Sequence, residues 1–85
     1  MFEYLLKLFE ELKQDERKLL AFFVRKTNFG AIKEIPIARK EIEISGEVNF
    51  RYYDESEKVL VEKGFIVKNQ KKIDGRIRNV FSIKM

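Results

Sequence analysis

The chain has 85 residues, with 18 lysines and arginines against 14 aspartates and glutamates, a net charge of +4, and neither histidine nor cysteine. One domain of this size buries about 60–65% of its unfolded surface, and a 45% hydrophobic content with eight Phe and three Tyr can fill a single core. The two missing residue types exclude disulfides, thiolate chemistry and the common zinc sites, and they remove the usual general base.

Phe2, Leu5, Leu6, Phe9 and Leu12 fall at helical spacing, with Glu3–Lys7 and Lys7–Glu11 as i,i+4 partners. They predict a first helix over roughly residues 2–13. With Leu8 the apolar stripe is wider than one neighbour requires, so a homodimer through residues 2–13 is expected, burying Phe2, Leu5 and Phe9. Asp15 is placed to cap a second helix, with Glu16 in its first turn and Leu19, Leu20, Phe22, Phe23 and Val24 on its apolar face. Asn28 and Gly30 should stop it.

Residues 31–37 alternate in the manner of a short edge strand, where Pro36 is tolerated. Residues 39–45 form a short helix carrying Ile42 and Ile44 and broken by Gly46. Asn49 can cap a fourth helix running to about Lys63, with Gly64 ending it. The inward stripe of this helix is Tyr52, Tyr53, Ser56, Val59, Leu60 and Lys63, the lysine lying along the core by its stem. Arg51, Asp54, Glu55, Lys58 and Glu62 point outward.

From Phe65 onward the period becomes two, and a β-hairpin is expected around Ile73-Asp74-Gly75. A three-residue loop with Gly75 left-handed gathers Phe65, Val67, Ile77, Phe81 and Ile83 on one face. It leaves Ile66, Lys68, Gln70, Lys72, Arg76, Arg78, Val80 and Ser82 on the other. A turn of Asp74-Gly75 alone would mix apolar and basic residues on both faces, so the three-residue loop is preferred. Residues 67–85 hold Lys68, Lys71, Lys72, Arg76, Arg78 and Lys84 against Asp74, a net +5, while the other 66 residues sum to −1. A near-neutral body with one basic hairpin suits a polyanion, nucleic acid first.

Helix, short strand, helix, turn, helix and hairpin, in that order, resemble the winged helix-turn-helix DNA-binding family over roughly residues 16–84. Residues 35–42, Ile-Pro-Ile-Ala-Arg-Lys-Glu-Ile, look like its leading strand and first motif helix. Residues 60–66, Leu-Val-Glu-Lys-Gly-Phe-Ile, look like its recognition helix closing into the wing. The resemblance implies an α+β winged-helix domain with an extra N-terminal helix, binding double-stranded DNA as a transcriptional regulator. It makes Asn49, Arg51 and Lys58 of the recognition helix and Lys68, Lys71, Lys72, Arg76 and Arg78 of the wing the candidate contacts. The outward face of that helix has two bases and three acids, so base reading is expected only from its first turn. The same acids suit an alternative, a winged-helix module docking on a protein within a larger complex. RNA binding is a third reading.

No phosphate-binding glycine loop, nucleophile–base pair or ligand cluster stands in the sequence, so no enzyme, cofactor, metal or small-molecule ligand is expected. Apolar runs such as residues 19–24 are too short to span a bilayer. No basic leader precedes an apolar block, and a cytoplasmic location is expected.

Overall fold

A computed structural model describes residues 3, 6 and 10–84. The fold is α+β, with three α-helices and a three-stranded antiparallel sheet of order β1-β3-β2 among the described residues. Glu3, Leu6, Glu10 and Glu11 are helical, in keeping with the expected first helix, and Leu12 enters the core. The dimer contact expected of Phe2, Leu5 and Phe9 lies outside the described residues.

The next helix is Gln14–Lys26. It begins one residue before Asp15, which therefore sits inside the first turn and is not the cap. Glu16 does that work instead: its carboxylate accepts from the Lys13 N–H at 3.0 Å. A glutamate at the third helical position reaches back in this way, while Asp15 still faces the positive end of the helix dipole. Leu19, Leu20, Phe22 and Phe23 are buried, and Phe23 stacks on Phe81 of the sheet with ring centroids 4.6 Å apart. Asn28, Phe29 and Gly30 all have positive φ and end the helix, as the first and last of them predict.

The strand expected over residues 31–37 is reduced to β1, Ile35–Pro36. Residues up to Ile32 are drawn into the helix-ending turn, where the Ile32 N–H donates to the Thr27 carbonyl at 2.9 Å. Pro36 offers no donor to extend the ladder. Pairing of Ile35 with Phe81 and Pro36 with Val80 puts β1 on the edge.

The helix Arg39–Ser45 matches the expected span and ends at Gly46, whose φ of +68° a side chain would strain. Ile42 is fully buried, but Ile44 is exposed. Asn49 then accepts from the Arg51 N–H at 3.3 Å and caps a 3-10 turn, Phe50–Tyr52, which leads into the helix Tyr53–Glu62. Tyr53, Ser56 and Leu60 face inward as expected. Tyr52 does not, because it belongs to the 3-10 turn, and it is exposed. Lys63 is exposed too, its ammonium donating to the Glu11 carbonyl.

Strands β2, Ile66–Ile73, and β3, Arg76–Ile83, form the hairpin. Its register pairs Ile73 with Arg76 and Lys68 with Phe81, so the loop is the two residues Asp74-Gly75 and not three. Asp74 has φ +51° and Gly75 +79°. Both central positions of a type I′ turn require that region, aspartate tolerates it, and the twist of this turn suits the strands. The face carrying Ile66 and Phe81 also carries Lys68, Gln70, Asn79, Lys72 and Ile77. The opposite face carries Val67, Asn69, Lys71, Ile73, Arg76, Arg78, Val80 and Ser82. The single basic face expected from the sequence is therefore replaced by two. The root is buried on both sides, with Phe81 at 1% and Val80 at 3% exposure, while Ile77 near the tip is 73% exposed. Burial does not dictate the alternation there, and turn chemistry sets the register.

Candidate nucleic-acid interface

Each cation of the hairpin is placed by its strand position and by the acids within reach. Lys68 lies on the face that meets the helices, and its ammonium is 2.5 Å from the Glu57 carboxylate. The Tyr53 hydroxyl donates to the other oxygen of that carboxylate. Burial, and then this hydrogen bond, push the Tyr53 phenol well above its ordinary pKa. Tyr53, Glu57 and Lys68 thus tie the Tyr53–Glu62 helix to β2, and Lys68 serves as a strut.

Lys71 pairs with Glu34 at 2.9 Å, reaching past the intervening β3 to the residue before β1. Lys72, Arg76 and Arg78 are exposed and make no ion pair with any described residue. Lys72 shares the helix-side face with exposed Ile77, whereas Arg76 and Arg78 are on the opposite face with Lys71. An open groove at the tip is lined by Ala38, Ile73, Asp74, Arg76, Ile77 and Arg78. Since β1 pairs only with Val80 and Phe81, the edge of β3 beside Arg76 and Arg78 lacks a strand partner.

The helix side of the candidate site is less basic. Asn49 is exposed but spends its side-chain oxygen on the cap. Arg51 is exposed with its guanidinium 5.6 Å from the Tyr52 ring centroid, and Lys58 stands 4.0 Å from Glu62. Asp54, Glu55 and Glu62 face solvent as expected. The eight candidate residues consequently do not form one patch: Lys68 and Lys71 are committed to acids, and the remaining cations lie on the helix, the inner hairpin face and the outer one.

One cation of this region carries no signal in the local sequence. Arg39 donates through both terminal nitrogens to Asp54, 15 residues away, and lies over the rings of Phe50 and Tyr53 at 5.0 and 5.1 Å. The hydrogen bond from Arg39 holds Asp54 below the usual carboxylate range, and the same bond raises the guanidinium pKa. This forked contact aligns the start of the Arg39–Ser45 helix with the first turn of the Tyr53–Glu62 helix. The residue types alone hint at it only through a Phe50–Tyr53 pair at helical spacing, which the structure stacks at 5.3 Å.

Among the described residues no group of three or more potential ligands is placed to hold a metal, and no helix is long and apolar enough to cross a membrane. What the arrangement can do chemically is neutralise anions at the hairpin tip, with guanidinium forks suited to phosphate oxygens. No family model, no curated protein and no solved structure matches this chain.

Proposed function

We propose that this chain is a winged-helix protein that binds double-stranded DNA through its C-terminal hairpin, acting as a transcriptional regulator. The observation that carries this reading is the net +5 of residues 67–85, with Lys72, Arg76 and Arg78 exposed and unclaimed by any described acid. Like charges left side by side repel, and a polyanion relieves that repulsion. The order of elements, with a three-stranded sheet ending in a hairpin after two short-connected helices, supports the winged-helix part. Homodimerisation through residues 2–13 belongs to the same proposal, and the exposed Leu6 of that segment suits it. A second reading, a winged-helix module docking on a protein within a larger complex, is favoured by the outward Asp54, Glu55 and Glu62.

Affinity for random-sequence duplex DNA, measured across salt concentrations beside duplex RNA, separates these readings. Each phosphate neutralised contributes about 0.9 to the slope of log affinity on log salt, so Arg76 and Arg78 alone give about 1.8. DNA binding that weakens with salt at this slope or more steeply is the expected result. No measurable duplex binding at low salt would hand first place to the protein-docking reading.

A further inference from the structure

We infer that the duplex is met by the outer face and tip of the hairpin, through Arg76 and Arg78, and that the Tyr53–Glu62 helix stays outside the grooves. The inference rests on the DNA-binding reading above and specifies which surface performs it.

Strand parity gives the first argument. Arg76 and Arg78 are two residues apart on β3 and share the face that carries Lys71 and Val80. That is the reverse of the face on which Phe81 stacks against the Gln14–Lys26 helix and Lys68 meets Glu57. The two unclaimed arginines therefore look away from the Gln14–Lys26 and Tyr53–Glu62 helices. Only Lys72, among the hairpin cations without an acid partner, shares the helix-side face.

The helix itself gives the second. Its outward positions hold Asp54, Glu55 and Glu62. Its one outward lysine stands beside Glu62, and Asp54 is the acid that occupies Arg39. Inserting this surface between two phosphate backbones would bring carboxylates against phosphates. The tip, by contrast, offers a groove lined by both arginines alongside the strand edge that β1 leaves uncovered, with Asp74 its one acidic lining residue. Two guanidiniums spaced along a free strand edge can each take a phosphate of one backbone.

The test compares duplex affinity and its salt slope for the full chain and three variants: Arg76→Ala with Arg78→Ala, Lys72→Ala, and Glu55→Lys. All four substituted side chains are exposed, so the fold is retained, which thermal unfolding of each variant verifies. The double arginine variant should lower the slope by about 1.8. Between 50 and 200 mM salt the parent chain should then lose about 12-fold more affinity than that variant does. Glu55→Lys should stay within about twofold of the parent at 150 mM salt, where fields from outside the contact are screened within about 8 Å. Lys72→Ala should lower the slope by no more than about 0.9, half the effect of the arginine pair. A tightening of tenfold or more by Glu55→Lys, with a slope raised by about one, would put the helix against the DNA and overturn the inference. So would a loss from Lys72→Ala that matches the arginine pair. In both cases DNA binding itself would stand. A parent chain that binds no duplex at low salt would instead remove the DNA-binding reading, and this surface with it.

Discussion

Phe81→Ala is expected to remove about 3–5 kcal/mol of folding stability, the cost of a large buried ring and the cavity it leaves. Phe81 is 1% exposed, and its ring stacks on Phe23 at an interplanar angle of 25°. It also faces Ile35 across β1 and Lys68 across β2, so it joins all three strands to the longest described helix. Small domains have about 5–15 kcal/mol in total, which makes this one substitution about a fifth of the stability or more. Urea unfolding measures it as a lower midpoint with an unchanged slope. Ile77→Ala on the same face of the same strand should shift stability by no more than about 0.5 kcal/mol, because that side chain is 73% exposed. Equal effects at the two positions would contradict the contrast between a buried hairpin root and an exposed tip.

Lys68→Ala should destabilise the protein by about 1–3 kcal/mol and leave the salt slope of duplex binding unchanged. Glu57 is 9% exposed, and among the described residues its carboxylate is met by the Lys68 ammonium and the Tyr53 hydroxyl. Losing the ammonium leaves a largely buried acid without its opposite charge, which costs more than the pair itself contributes. Glu57→Leu introduced together with Lys68→Ala should recover part of the loss, since an apolar side chain has no charge to compensate. Lys68→Met keeps the stem and removes the charge, so it separates packing from electrostatics. A slope lowered by about 0.9 in Lys68→Ala, with stability unchanged, would return Lys68 to the set of phosphate contacts.

Local chemistry made much of the fold legible. The helix Arg39–Ser45 was readable from Ile42 and from the glycine that ends it, and the hairpin from Ile73-Asp74-Gly75 between two alternating runs, though not its two-residue loop. What escaped were the features decided by distant residues. The register of the hairpin looked fixed by segregating apolar from basic side chains, yet Val80 is buried on one face and Phe81 on the other. Near the tip Lys72, Arg76, Ile77 and Arg78 are all exposed, so segregation has little energetic consequence there. The candidate site was readable to the same degree. That the hairpin is basic follows from counting, but the commitment of Lys68 to Glu57 and of Lys71 to Glu34 depends on acids 11 and 37 residues away. Arg39 was hidden for the same reason, its partner Asp54 being on another helix.

The central claim, that the hairpin tip is the DNA-contacting surface, is tested most directly by following backbone amide resonances during titration with a random-sequence duplex. The largest shifts are expected at Lys71 and from Ile73 through Arg78, and they should collapse as salt is raised. Residues 53–62 should move little. Shifts concentrated at residues 49–62 with the tip unmoved would contradict the account.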